Sequence, residues 1–364
     1  YNFNGTTTLN GGNARLSITN GSSGTFNFSS NTTINNHGND AVRINASAAR
    51  LTYGGTISDN SGYVIDIDGL QAGGFATFNG TVTSVNPGTG VRIRNSAGNV
   101  TFTTLNLGSS GSRLSSNAVT LQTNTGTYRL GTVNIFNAGG GAYNGISAIA
   151  SGTIETTSGT VDTGNGTAIS IIGGTPQTLN INLTKVNANN ATRGIYLQNT
   201  TGTFKVDGGT ADFTAGGTIS TMIEAAVVLN NAAGVTLKNI TFNNANVGAS
   251  DCALSQNSCY GAIRVFPGSS NLTLNKVSIN GTVDHGISIN GLNGLTIIDS
   301  EIRNAGNGEH KFGIGAFKPG TANLTGTVTI SGLLIENSSD SMFQVRNNSG
   351  VLNMTGTLYW IASA

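Results

Sequence analysis

A pattern of a small residue, an apolar residue, any residue and a second apolar residue recurs along the whole chain. Alternation with a period of two predicts strands that bury one face. Successive copies are mostly about 22 to 29 residues apart, with longer steps before Val227 and Ile263. We call the first apolar residue of each copy the anchor; the anchors are Val42, Val91, Val119, Ile169, Ile195, Val227, Ile263 and Ile287, with looser copies at Leu16, Ile65, Ile146, Ile314 and Phe343.

A second apolar strand follows most anchors by about 8 to 11 residues, and a third apolar pair often follows it. Two or three short strands in each repeat of about 25 residues are typical of one coil of a parallel β-helix. The second strands begin at Val100, Tyr128, Phe204, Val235, Leu272 and Leu295, for example, and the third pairs at Leu105, Val133, Ile240 and Val277. The sequence therefore predicts an all-β fold, a single right-handed parallel β-helix domain over residues 1–364 with about thirteen stacked coils.

Asparagine recurs one or two residues after the second apolar position of the pattern. Asparagine tolerates left-handed backbone geometry, and stacked amides can hydrogen-bond along the axis of a solenoid. We therefore expect asparagine ladders at one corner; the positions are Asn45, Asn95, Asn199, Asn231, Asn290 and Asn347. A β-sandwich, the main alternative fold, would not repeat one corner residue at a fixed spacing.

Two segments resemble a known group of proteins. HGISINGLNGLTIIDSEIRNAG and GIYLQNTTGTFKV are similar to coils of the pectate-lyase-like right-handed β-helix superfamily, and especially to the Asn-, Thr- and Gly-rich β-helix regions of large secreted bacterial surface proteins. The resemblance extends over nearly the whole chain and implies the fold. It implies no single function, because that superfamily includes lyases, hydrolases, phage tailspikes and adhesins.

The composition argues against several other classes of protein. Charged residues are 9% of the chain, and 17 basic residues nearly balance 16 acidic ones, so no basic surface for nucleic acid is indicated. Gly is 53 of 364 residues and Pro only 4, which excludes a collagen-like chain. The regular apolar spacing argues against disorder. No apolar run reaches the length of a membrane span.

The two cysteines, Cys252 and Cys259, lie in the segment DCALSQNSCY. Their spacing predicts a small disulfide-closed loop inserted around residues 248–261, with two unrelated thiols as the alternative. A disulfide would indicate an oxidising compartment. Because the chain begins with Tyr1 rather than Met, we expect a processed product or a piece of a secreted protein, located outside the cell or at its surface.

Charged residues gather directly before three successive anchors near the C-terminal end. Equivalent positions in successive coils stack, so these side chains are expected to share one corner of the solenoid. They are Asp284, His285, Glu309, His310, Lys311 and Asp340. Carboxylates with His and Lys can bind a cation or act in acid–base chemistry, including glycoside hydrolysis. The alternative is a polar turn whose charges face water.

The family resemblance adds little support for catalysis. Hydrolases of the polygalacturonase type carry an Asn-Thr-Asp segment, paired Asp, a Gly-His-Gly segment and an Arg-Ile-Lys segment, and only Asp284-His285-Gly286 partly resembles one of them. Lyases of the superfamily use clustered Asp and Glu for calcium together with an Arg or Lys base. No comparably dense set of acidic residues occurs in this sequence.

A second, separate candidate site is the pair Asp66 and Asp68, which alternates with the inward-facing Ile65 and Ile67. Both carboxylates are expected to project outward. Carboxylate oxygens suit Ca²⁺, and a solvated face is the alternative. No other cofactor is expected.

Apolar residues at both ends of the chain complete the candidate contacts: Tyr1, Phe3, Tyr359 and Trp360. A β-helix has open strand edges at its ends, and no amphipathic capping helix is indicated, so copies of the chain are expected to stack end to end. Surface polysaccharide is the other expected partner. The expected function is an extracellular, non-catalytic structural or adhesive β-solenoid, either an adhesin segment or a filament subunit. The alternative is a secreted polysaccharide lyase or glycoside hydrolase acting at the charged corner.

Overall fold

The computed structural model describes residues 1–10, 16–35, 38–137, 143–210, 212–248, 260–306, 311–316, 323–345, 349–356 and 359–361. These residues form strands and turns, without a helix. The chain divides into two compact units, an N-terminal unit (Tyr1–Leu183) and a C-terminal unit (Thr184–Ala364). The single domain expected over residues 1–364 stays a prediction.

The N-terminal unit contains seventeen strands, β1 to β17. They are β1 (Asn2–Phe3), β2 (Thr7–Asn10), β3 (Leu16–Thr19), β4 (Thr25–Phe28), β5 (Thr32–Asn35), β6 (Val42–Ser47), β7 (Arg50–Tyr53), β8 (Thr56–Asp59), β9 (Tyr63–Leu70), β10 (Phe75–Ser84), β11 (Thr89–Arg94), β12 (Asn99–Leu107), β13 (Val119–Arg129), β14 (Thr132–Asn137), β15 (Ile146–Thr156), β16 (Ser158–Thr163) and β17 (Ile169–Leu183).

The C-terminal unit contains the remaining strands, β18 to β34. They are β18 (Lys185–Asn189), β19 (Arg193–Asp207), β20 (Gly217–Ser220), β21 (Ala225–Lys238), β22 (Ile240–Asn246), β23 (Gly261–Val265), β24 (Ser269–Asn275), β25 (Ser278–Thr282), β26 (His285–Ile289), β27 (Leu292–Ile298), β28 (Glu301–Ala305), β29 (Ile314–Ala316), β30 (Leu324–Ser331), β31 (Leu334–Glu336), β32 (Phe343–Val345), β33 (Val351–Thr355) and β34 (Tyr359–Ile361).

The predicted anchors stack directly on one another in parallel register, which confirms the repeat. In the N-terminal unit the column is Leu16, Val42, Ile65, Val91, Val119, Ile146 and Ile169. In the C-terminal unit it is Ile195, Val227, Ile263, Ile287, Ile314 and Phe343. Each unit is thus a parallel β-solenoid, with about 12 turns in all, close to the thirteen expected. The right-handed sense of the coils stays a prediction.

Stacking of like side chains on like fills the core. In the N-terminal unit, Phe3, Phe28, Tyr53, Phe78 and Phe102 occupy equivalent positions of successive coils. The ring centroids of Phe3 and Phe28 are 4.3 Å apart, and those of Phe78 and Phe102 are 5.0 Å apart. Because one coil cannot bury these rings alone, the stack holds neighbouring coils together.

Most anchors follow a small residue, and at Gly90 the reason for the small residue is steric. A Cβ atom at this position would lie 1.8 Å from the carbonyl oxygen of Ala118 in the neighbouring coil. The backbones therefore approach too closely for a side chain at Gly90. The recurring Gly or Ala before an anchor is a sign of this close approach between coils.

The asparagine prediction is correct at some corners and wrong at others. Asn95, Asn199 and Asn231 have left-handed backbones with φ of 51°, 51° and 50°, and the Asn231 amide donates to Oδ1 of Asn199 at 3.0 Å. After Asn45 and Asn290 the left-handed residue comes one position later, at Ala46 (φ 47°) and Gly291 (φ 142°). Asn347 lies outside the described residues.

Candidate functional site

The candidate site is the charged corner of the C-terminal unit, where turns lead into β26, β29 and β32. Asp284 and His285 lie at the start of β26, Lys311 lies before β29 and Asp340 lies before β32. The structure brings Asp284 and Lys311 into contact, as the stacking of equivalent positions requires. Glu309 and His310 lie outside the described residues.

Asp284 is fully buried, although it lies in a turn. Its carboxylate is 3.2 Å from Nζ of Lys311, and the Lys311 side chain is 15% exposed. Its backbone N–H donates to Oδ1 of the buried Asn246 at 2.8 Å. A buried carboxylate needs such a partner because burial removes its hydration. The ion pair joins two neighbouring coils.

His285 is also fully buried, and its ring stacks on the ring of Phe312 with centroids 5.3 Å apart and planes 13° apart. The backbone N–H of Phe312 donates to Nδ1 of His285 at 2.9 Å. An imidazole nitrogen that accepts a hydrogen bond carries no proton, so this bond fits a neutral ring protonated at Nε2. His285 therefore packs as a core residue between coils.

Asp340 is exposed, in contrast to Asp284. Its backbone N–H donates to the carbonyl oxygen of Lys311 at 3.3 Å, and its carboxylate accepts from the Ser341 hydroxyl at 3.4 Å. Glycoside hydrolysis generally requires two carboxyl groups that both reach the substrate. Of the two described carboxylates at this corner only Asp340 is open to solvent, so the geometry favours a structural network over a catalytic pair.

Asp66 and Asp68 are paired with arginines of the next coil. Nε of Arg92 is 2.8 Å from a carboxylate oxygen of Asp66, and Nε of Arg94 is 2.9 Å from one of Asp68. Although Asp66 is on the outward side of its strand, its side chain is only 3% exposed, because the Arg92 guanidinium bonds both carboxylate oxygens. A calcium ion there would have to displace both arginines; calcium binding stays a prediction.

Two further carboxyls have strongly shifted pKa values. Burial raises the pKa of Asp59 to about 6, although its Oδ1 accepts a bond of 3.1 Å from the Ser61 N–H. Hydrogen bonding to Lys205, and then to Lys238, lowers the pKa of Asp207 to about 2. Within the described residues no group of three or more His, Cys, Asp or Glu side chains is arranged to hold a metal ion.

The terminal coils expose apolar side chains. Tyr1 is 76% exposed and Phe3 40%, although they stack on Phe26 and Phe28. Tyr359 is 61% exposed and belongs to β34, as does Trp360. An open cavity of about 300 Å³ in the last coils is lined by Ile330, Leu333, Ile335, Met342, Phe343, Met354 and Tyr359, with Asp340 and Ser341. The repeat pattern of the sequence does not indicate this cavity.

Oppositely charged side chains pair across neighbouring coils. The sequence predictions do not include these pairs, although the sequence contains a signal for them. The segment Asp66-Ile67-Asp68 and the segment Arg92-Ile93-Arg94 are one repeat apart. Equal spacing of the charges on two stacked strands places each carboxylate opposite one arginine. The disulfide predicted between Cys252 and Cys259, in the loop around residues 248–261, lies outside the described residues.

Comparison with protein-family models, with curated proteins and with solved structures gives no match. The class to which the chain belongs is therefore established by its own strand register: it is a parallel β-solenoid protein. No helix in the described residues is both long and apolar enough to span a membrane.

Proposed function

We propose that this chain is an extracellular, non-catalytic β-solenoid with a structural or adhesive role. The observation that carries the proposal is that several of the few charged side chains pair with each other. Oppositely charged side chains occupy directly opposite positions of neighbouring coils, where they bind each other. These registered pairs are Asp66 with Arg92, Asp68 with Arg94, Arg129 with Glu155, Asp207 with Lys238, and Arg303 with Glu336.

Such an arrangement suits a rigid scaffold. Each pair links one coil to the next, and a pair held in a sheet register loses little further side-chain entropy when it forms. A catalytic groove needs the opposite arrangement, with charged groups converging on a space that a substrate can enter. The burial of Asp284 beneath Lys311 is consistent with the structural role.

End-to-end contact between copies is part of the proposal. Val351 and Tyr359 are 65% and 61% exposed on the last strands, and Tyr1 is 76% exposed on the first coil. Apolar surface beside an open strand edge favours pairing with another chain.

Negative-stain electron microscopy over a concentration series tests this assembly. We expect end-joined particles that lengthen with concentration, and their loss in the double variant Val351→Lys, Tyr359→Lys. The matched control is Ile149→Lys, which changes a 48% exposed side chain of β15 away from the terminal coils. Single particles of wild-type protein at every concentration would overturn end-to-end assembly.

A separate assay tests the non-catalytic role. The chain is incubated with neutral and uronic-acid polysaccharides, and new reducing ends and unsaturated products are measured. We expect none above a heat-denatured control. Product release that the substitution Asp340→Asn abolishes would contradict the proposal and establish the alternative, a polysaccharide hydrolase or lyase at the charged corner.

A further inference from the structure

One outward surface of the N-terminal unit consists of two parallel columns of uncharged polar side chains. The columns belong to β2, β5, β8, β10, β12, β14 and β16, and their members lie two residues apart on each strand. We call them the polar double column. The first column is Thr8, Thr33, Thr56, Thr81, Thr104, Thr132 and Ser158, and the second is Asn10, Asn35, Ser58, Thr83, Asn106, Asn134 and Thr160.

The register of these strands keeps the double column regular over seven coils. Between the columns, one inward residue of each strand fixes the spacing, such as Ile57, Val82 and Leu105. Neighbouring coils are about 4.8 Å apart and the two columns about 7 Å apart, as strand geometry requires. The double column is therefore about 29 Å long. All fourteen residues are partly or fully exposed.

Hydrogen bonds along the columns orient several of these groups. The Asn134 amide donates to Oδ1 of Asn106 at 2.9 Å, and the hydroxyls of Thr132 and Ser158 are 3.2 Å apart. Each amide or hydroxyl still has lone pairs or a proton to offer outward. The surface thus presents hydrogen-bond donors and acceptors at a constant repeat.

The other outward surfaces of this unit differ because they carry charge. The strand positions that pair Asp66 with Arg92 and Asp68 with Arg94 are ionic, and the column that contains Thr52, Thr77 and Thr101 continues into Arg129 and Glu155. Only uncharged residues occupy the fourteen positions of the double column. A ligand that matches this surface is uncharged and rich in hydroxyl groups.

We infer that the polar double column binds a neutral, linear polysaccharide lying along the solenoid. This inference rests on the adhesive role proposed above and names its partner. Sugar hydroxyls both donate and accept, as do the Thr, Ser and Asn groups that face them. A hydrogen bond that replaces one to water contributes only about 0.5–1.5 kcal/mol, so affinity must come from repeated contacts along one polymer.

Retention on insoluble polymers tests the inference. The wild-type chain is mixed with cellulose, chitin, β-1,3-glucan and mannan, and with cross-linked polygalacturonate as a charged comparator. We expect retention on at least one neutral polymer at low and at high salt, because the contact contains no ion pair to screen. Competing soluble oligosaccharides of that polymer should release the protein more effectively as their length increases.

Two triple variants locate the binding surface in the same coils. The test variant carries Ser58→Lys, Thr83→Lys and Asn106→Lys in the double column, and the matched control carries Thr52→Lys, Thr77→Lys and Thr101→Lys on the adjacent column of β7, β10 and β12. We expect about tenfold weaker retention for the test variant, equivalent to about 1.4 kcal/mol, and nearly unchanged retention for the control. Circular dichroism and thermal midpoints verify that both variants fold.

Three results would overturn the inference: no retention on any neutral polymer, equal loss in both variants, or adsorption to ice crystals without retention on polysaccharide. None of these affects end-to-end assembly or the absence of product release, which test the proposed function separately. Conversely, retention on a neutral polymer together with its cleavage would refute the non-catalytic role. The inference that the polar double column binds a polysaccharide would still stand.

Discussion

Asp66 and Arg92 face each other across neighbouring coils and form two parallel hydrogen bonds of 2.8 and 2.9 Å. The guanidinium carbon also lies 4.1 Å from the centre of the Tyr63 ring. Such a bidentate, partly buried pair is stronger than an exposed one. Its geometry explains why a side chain on the outward side of a sheet is as buried as the core.

Removal of Arg92 is expected to destabilise the protein markedly. The substitution Arg92→Met leaves the Asp66 carboxylate buried without its cation, and we expect the free energy of unfolding to fall by about 2–3 kcal/mol. The matched control is Arg129→Met, because the Arg129 side chain is 49% exposed in its pair with Glu155; here we expect less than about 1 kcal/mol. Urea unfolding measures both, and equal losses would contradict the prediction.

Two buried tyrosines should respond differently to the loss of their hydroxyl groups. The Tyr128 hydroxyl donates to the carbonyl oxygen of Ser96 at 2.7 Å, whereas the buried Tyr53 hydroxyl has no partner in the described part of the chain. We expect Tyr128→Phe to cost about 1 kcal/mol and Tyr53→Phe to be neutral or stabilising. Thermal unfolding compares them; a Tyr53→Phe variant as unstable as Tyr128→Phe would refute the assignment.

Stability should decrease as the pH rises from about 4 to about 6 because of Asp59. Its pKa is raised by burial from 3.8 to about 6, so the unfolded chain loses this proton at a lower pH than the folded chain does. The stabilisation present below pH 4 is thus lost as the pH passes the folded pKa, at a cost of no more than about 3 kcal/mol. Asp59→Asn should remove this dependence.

A series of unfolding curves from about pH 2 to about pH 7 provides the measurement, with the difference between wild type and variant as the readout. Asp207→Asn is the control of opposite sign: the pKa of Asp207 is lowered to about 2, so its stabilisation is lost only as the pH falls below about 4. Parallel wild-type and Asp59→Asn curves would show that Asp59 ionises normally.

The asparagine ladder of the C-terminal unit offers a test of its two roles. Asn304 has a φ of 54°, donates to Asn280 at 2.9 Å and accepts from Asn337 at 3.2 Å. We expect Asn304→Ala to cost about 1–2 kcal/mol, because alanine loses the bonds and strains the backbone. Asn304→Gly tolerates the backbone and should cost less. Equal losses for the two variants would show that the hydrogen bonds, rather than the backbone strain at φ, dominate.

The sequence by itself determined the coil repeat and the identity of the stacked core. Alternating apolar residues can bury one face only by stacking, so the predicted anchors within each unit had to lie one above another. The small residue before most anchors is likewise visible in the sequence, and its cause is the close approach of the neighbouring coil, as Gly90 shows. These features depend on periodicity, which a single sequence displays directly.

Only the tertiary structure decided which polar side chains are buried and which of them pair. The burial of Asp66, Asp284 and His285 depends on side chains one coil away. The sequence shows how far apart these residues are along the chain, but not which side chains touch. The same holds for the polar double column, whose strands become one surface only when the register of each coil is known. Burial and charge pairing are properties of neighbours in space, which the order of residues specifies only through the fold.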